Sequence, residues 1–63
     1  MRKIGELNTG KIHFVIYHDE KDNINPYKVY RKYFENGWHK KLEVKYGNLH
    51  SCLLYIEDYI IRH

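Results

Sequence analysis

The dipeptide Asn36-Gly37 separates two runs, YKVYRKYF and WHKKLEVKY, each of β-branched, aromatic and lysine residues. Both turn residues tolerate the positive φ of a type I′ turn, the two-residue connection whose twist matches that of its strands. The middle of the chain is therefore read as a β-hairpin of strands Tyr27–Phe34 and Trp38–Tyr46. Upstream, KIHFVIYH (Lys11–His18) alternates strictly and reads as a further strand. Ile12, Phe14 and Ile16 share one of its faces, and His13, Val15 and Tyr17 share the other. The polar segment DEKDNINP joins this strand to the hairpin, with Pro26 at the last loop position.

Gly47-Asn48 breaks the strand pattern, and Asn48 is a good helix N-cap. From about Leu49 to Arg62, Leu49, Cys52, Leu53, Ile56, Tyr59 and Ile60 fall on one helical stripe. The expected fold is α+β: a three-stranded antiparallel meander with one C-terminal helix packed on one face, β-β-β-α. Residues 1–10 are expected to form an N-terminal arm or short edge element ending at Asn8-Thr9-Gly10, with residues 11–63 as the single domain.

A chain of 63 residues buries little apolar surface, and its one cysteine, Cys52, excludes an internal disulfide. On the helix stripe Cys52 is expected to be buried and unreactive. No apolar run resembles a signal peptide or reaches the roughly 20 residues of a membrane span. A cytoplasmic protein is expected, and the abundance of Lys, Ile, Asn and Tyr fits a low-GC bacterium, its phages or mobile elements. A second copy would relieve the small core. Leu54 and Ile61 lie off the main stripe and are read either as a homodimer contact or as a spot covered by Ile4 and Leu7 of the arm.

The net charge of +3 is unevenly placed, with residues 27–47 carrying six Lys or Arg against two Glu. A two-residue turn sets Val29 opposite Val44, Tyr27 opposite Tyr46 and Arg31 opposite Leu42. On the other face it sets Lys28 opposite Lys45, Lys32 opposite Lys41, Tyr30 opposite Glu43 and Phe34 opposite His39. A three-residue loop with Gly37 in a bulge would instead move Tyr30 and Phe34 into the core; His39, Lys41 and Lys45 face outward in both registers. Like charges directly opposite one another destabilise a sheet, so two lysine pairs on one hairpin point to an anion lying over them. Lysines supply phosphate affinity, exposed aromatics at Tyr17, Tyr30 or Phe34 can stack on unpaired bases, and His13 and His39 read as exposed polar groups able to touch phosphate. The candidate nucleic-acid contacts are Lys28, Tyr30, Lys32, His39, Lys41 and Lys45. A solvated lysine face that discourages aggregation and an acidic protein partner are the competing readings.

Other chemistry finds less support. His13 and His18 point to opposite faces, His39 and His50 lie on different elements, and His63 is terminal, so no zinc spacing is present. His18 with Asp19, Glu20 and Asp22, or Cys52 with His50, are the groups that could converge, and no phosphate loop or hydrolase motif accompanies them. Neither a catalytic activity nor a metal or other cofactor is expected.

Three strands with an Asn-Gly second hairpin, followed directly by a helix over Lys11–Arg62, resemble the arm-type and AP2-like DNA-binding domains of tyrosine integrases. In that family the sheet lies in the major groove and the helix braces it. Its members carry a Gly-Phe-x-Thr-Lys-like junction before an Ala-rich helix, where this chain has YGNLHSCLLY, so no base-reading residue is carried over. The resemblance implies a small accessory or regulatory protein that binds DNA through its sheet. The alternative is a protein-interaction module, inhibitor or adaptor.

Overall fold

A computed structural model describes residues 1–62; the terminal His63, counted above with the domain, lies outside the described residues. The elements are β1 (Arg2–Asn8), β2 (His13–His18), β3 (Tyr27–Glu35), β4 (Trp38–Gly47) and α1 (Leu49–Arg62). The strands form one antiparallel sheet in the order β1-β2-β3-β4. The class is α+β with a C-terminal helix, as expected, but the sheet has four strands rather than three.

The added strand, at the sheet edge, is the segment read as an arm or short edge element. The turn at its end is well built. Thr9 and Ile12 bond through the backbone at 2.9 Å, Thr9 Oγ1 accepts from the Ile12 N–H at 3.1 Å, and Asn8 Oδ1 accepts from the Gly10 N–H at 3.0 Å. Ile4 and Leu7, three residues apart, would fall on opposite faces of a regular strand, which hides the β pattern. A bulge at Ile4 alters that count: Lys3 pairs with Tyr17, Gly5 with Ile16 and Leu7 with Phe14.

The hairpin forms a two-residue turn, with Asn36 at φ 51° and Gly37 at φ 80° and Glu35 opposite Trp38. From there to Tyr30/Glu43 the register is that of the simple two-residue turn, including Arg31/Leu42, Lys32/Lys41 and Phe34/His39. Then Val44 is inserted as a β-bulge, so Val29 pairs with Lys45, Lys28 with Tyr46 and Tyr27 with Gly47. The expected pairs Val29/Val44, Tyr27/Tyr46 and Lys28/Lys45 are therefore replaced.

Gly47 then turns the chain into α1 at φ 146°, where a Cβ would stand 2.8 Å from Ser51 Oγ. Asn48 caps the helix, its Oδ1 accepting from the Ser51 N–H at 2.8 Å. The helix packs over β3 and β4. The core beneath it consists of Phe14, Ile16, Val29, Cys52 and Ile56, with Ile12, Tyr27, Val44, Tyr55 and Tyr59 at its margin. Phe14 is fully buried and meets Tyr55 and Tyr59 edge-on, at centroid distances of 6.1 and 5.4 Å. Helical spacing puts Tyr59 at one edge of the expected stripe and Tyr55 beyond that edge. The helix is thus turned toward them, and Leu49, Leu53 and Ile60 are left 37%, 48% and 41% exposed.

Cys52 is fully buried, and burial is the main cause of the upward shift in its thiol pKa; Sγ donates to the Tyr27 carbonyl at 3.6 Å. A thiol reagent is expected to label native protein much more slowly than denatured protein, with the difference read by mass spectrometry. Truncating Phe14 empties the space between β2 and the helix tyrosines. Phe14→Ala is expected to lose about 3–5 kcal/mol, measured by urea unfolding monitored by circular dichroism.

Candidate nucleic-acid interface

The face opposite α1 carries His13, Val15 and Tyr17 of β2, Lys28, Tyr30, Lys32 and Phe34 of β3, and His39, Lys41 and Glu43 of β4. This follows from the alternation of side chains and the observed register. It is more than a solvated surface. Val15, which stands between Glu6 and Tyr30, is fully buried. Tyr17 and Tyr30 meet edge-on at 5.3 Å. Across both rings lies Lys41, its Nζ 4.7 Å from the Tyr17 centroid, 4.9 Å from that of Tyr30, and donating to Tyr17 Oη at 3.4 Å. Cation–π attraction to the two ring faces holds this ammonium over the sheet instead of letting it swing from the edge.

Toward the hairpin tip the face becomes a shallow groove of about 590 Å³. His13, Tyr17, Lys32, Phe34, His39 and Lys41 line it, together with Tyr33 and Lys40. Phe34 is 65% exposed and packs edge-on against His39 at 5.0 Å. Glu6 is held by Lys3 at 2.9 Å and by His13, and Lys40 is paired with Glu35 at 3.2 Å. Among the described residues Lys32 and Lys41 form no ion pair, although they stand directly opposite each other.

Of the six candidate contacts, Lys32, His39 and Lys41 line the groove, and Tyr30 lies beneath Lys41 beside it. Lys28 does not join them. Its Nζ donates to Asp22 Oδ2 at 2.9 Å and to the Asn25 carbonyl at 3.0 Å, clamping the β2–β3 loop. The bulge carries Lys45 opposite Val29, where it is half-buried and near enough to Cys52 for its charge to act on the thiol. Tyr17 and Phe34, named from sequence among the stacking aromatics, and His13, read beside His39 as a polar group at phosphate, stand outside the six principal contacts, and all three line the groove. The alternation had placed His13 and Tyr17 on this face, but only the β2–β3 register brings them beside Lys32 and Lys41.

The other reactive groups have local duties. Asp22 Oδ1 accepts from the Ile24 and Asn25 N–H groups at 3.0 and 2.9 Å, Asp19 Oδ1 accepts from the Lys21 N–H at 3.1 Å, and His18 stacks on Tyr27 at 4.8 Å. Among the described residues no three His, Cys, Asp or Glu side chains are grouped to hold a metal ion, and no helix is long and apolar enough to cross a membrane. No protein-family model, curated protein or solved structure matches the chain.

The loop clamp makes a prediction about acid. Hydrogen bonding to the Asn25 N–H, then to Lys28, lowers the Asp22 carboxyl from 3.8 to about 2, and the Asp22 bond in turn raises Lys28. Lys3 and then His13 lower Glu6 from 4.5 to about 2. A carboxyl whose pKa is depressed by folding stabilises the fold above its ordinary pKa, and that contribution is lost as pH falls through the folded value. The melting temperature is expected to drop between about pH 4.5 and pH 2. Replacing both groups, Glu6→Gln with Asp22→Asn, should lower stability near neutrality and flatten the curve in that window, as read by thermal circular dichroism.

Proposed function

We propose that this chain is a small accessory or regulatory protein that binds nucleic acid, DNA in the first instance, through the sheet face opposite its helix. The observation that carries this reading is the cross-strand pair Lys32 and Lys41. Two cations stand opposite each other, neither in an ion pair with a carboxylate among the described residues, in a groove that also presents His13, His39 and the exposed ring of Phe34. Such a pair works against the sheet unless an anion offsets it. A phosphate backbone running along the groove supplies that anion. Phe34 and His39 offer ring surface to a base, which favours a single strand over a closed duplex. The order β2-β3-β4-α1 retains the element order that resembles the integrase domains, with β1 added at the sheet edge.

Titration of a labelled single strand and of a duplex across a salt series tests the proposal. Binding is expected to weaken as salt rises, without strong sequence preference. The double substitution Lys32→Gln with Lys41→Gln should weaken it further and flatten the logarithmic salt slope by about 0.7–0.9 for each lost phosphate contact. Phe34→Ala should weaken single-strand binding while leaving the salt slope nearly unchanged. Absence of salt-sensitive binding to either nucleic acid at low ionic strength would remove the reading.

A further inference from the structure

A second surface stands apart from the groove, along the outer edge of β4. The sheet ends there, so one side of the strand has no neighbour. In a two-residue hairpin the residues flanking the turn, Glu35 and Trp38, exchange both backbone hydrogen bonds, and the pattern alternates from that pair. Lys40 and Leu42 accordingly direct their N–H and C=O groups to β3, whereas His39, Lys41 and Glu43 direct theirs outward. The β1 edge is interrupted by its bulge at Ile4, but the β4 bulge at Val44 lies beyond the segment 39–43 and leaves it regular.

That segment is complementary to itself. When two copies of β4 run antiparallel with Leu42 on the two-fold axis, Lys41 of each copy stands opposite Glu43 of the other. Both residues of each pair direct backbone groups outward, so each pair can exchange two hydrogen bonds, and each carries opposite charges. Leu42, 55% exposed, meets its own counterpart on the helix side of the sheet.

The helix fits this arrangement. Arg31, the cross-strand neighbour of Leu42, holds its guanidinium 5.8 Å from the Tyr59 ring centroid, so the last turns of α1 stand level with Leu42. Tyr55 and Tyr59 lean toward Phe14 of β2. Helical spacing therefore puts Ile60 on the opposite flank, above the outer edge. Strands lie about 4.8 Å apart, so a helix over β3 and β4 lies about 5 Å from the axis and about 10 Å from its symmetry mate. Packed helices have that separation.

We propose that the outer edge of β4 pairs antiparallel with the same edge of a second copy, joining two sheets into one of eight strands with Leu42 and Ile60 across the seam. The proposal is independent of nucleic-acid binding, because its readouts are mass and amide exchange without ligand.

Sedimentation of the full chain over a concentration series is expected to show a monomer–dimer equilibrium. Hydrogen exchange at dimer concentration should find the Lys41 and Glu43 amides protected, and diluted to monomer they should exchange as edge amides do. Glu43→Lys sets lysine against lysine at the seam and should shift the protein to monomer with its circular dichroism retained. The swap Lys41→Glu with Glu43→Lys restores opposite charges and should recover the dimer. A monomer at every concentration would overturn the proposal. So would a dimer whose Glu43 amide exchanges freely, since that dimer would form elsewhere, for example through Leu54 and Ile61. Failure of the swap to recover association lost in Glu43→Lys would overturn the Lys41–Glu43 pairing.

Discussion

One helix of 14 residues must cover one face of a four-stranded sheet, and it is too narrow to do so. Such a helix is about 21 Å long and about 10 Å across, while the axes of the outermost strands are about 14 Å apart before any side chain is counted. The chain gives α1 to β3 and β4 and extends cover to β2 with tyrosines. Tyr55 and Tyr59 bury their ring bodies against Phe14 while their phenol ends can remain near water, which a leucine of similar reach could not exploit. The cost falls on the other flank, where Leu49, Leu53 and Ile60 stay partly exposed above an unpaired strand. β1, lacking a helix above it, is held by its ladder to β2 and by the turn around Thr9.

The same economy shapes the open face. With so few residues under the helix, Val15 adds a fully buried side chain on the opposite side of the sheet, next to Tyr17 and Tyr30. Lys41 contributes there too, since its aliphatic stem and charged head cross both rings. A lysine that looks solvated in the sequence is thus part of a small packed layer. Lys28 has gone further, from open face to loop clamp, through its bonds to Asp22 and Asn25.

Much of this was legible in the residues, for identifiable reasons. β2, β3, β4 and α1 announce themselves by alternation, by Asn36-Gly37 and by the Asn48 cap, all of which are local signals. Up to Tyr30/Glu43 the register is that of the two-residue alternative, which paired Lys32 with Lys41 and Phe34 with His39, and the turn itself decides it against the three-residue loop. Beyond Glu43 the bulge intervenes, and no glycine or polar residue at Val44 marks it, so the placement of Lys45 was lost with it; Lys28 keeps its face, but its bonds to Asp22 and Asn25 leave no mark in a local pattern. The helix rotation was missed because Tyr59 was counted on the stripe but Tyr55 was not, and here Tyr55 joins Tyr59 in setting the angle. β1 was left undecided between an arm and a short edge element because an edge strand can be held by backbone bonds that composition does not record.

The groove and the β4 edge share one residue, and the tyrosines decide how it divides its charge. Lys41 presents backbone groups to the edge, but its Nζ is drawn inward over Tyr17 and Tyr30, two strands away. In the proposed dimer Glu43 of the second copy extends the row Lys32–Lys41 with a carboxylate. Pulling Lys41 outward to meet it would forfeit the cation–π contacts, worth about 0.5–1 kcal/mol at exposed sites. A phosphate in the groove asks for no such movement, because the ammonium already lies there. Nucleic acid and the second copy therefore bear on the same charge from opposite sides. Linkage requires that whatever one subtracts from the other's affinity be returned in equal measure. The charge pair of the proposed dimer draws on the same ammonium that the tyrosines hold over the groove, so the hydrogen-bonded edge and the basic groove compete for it.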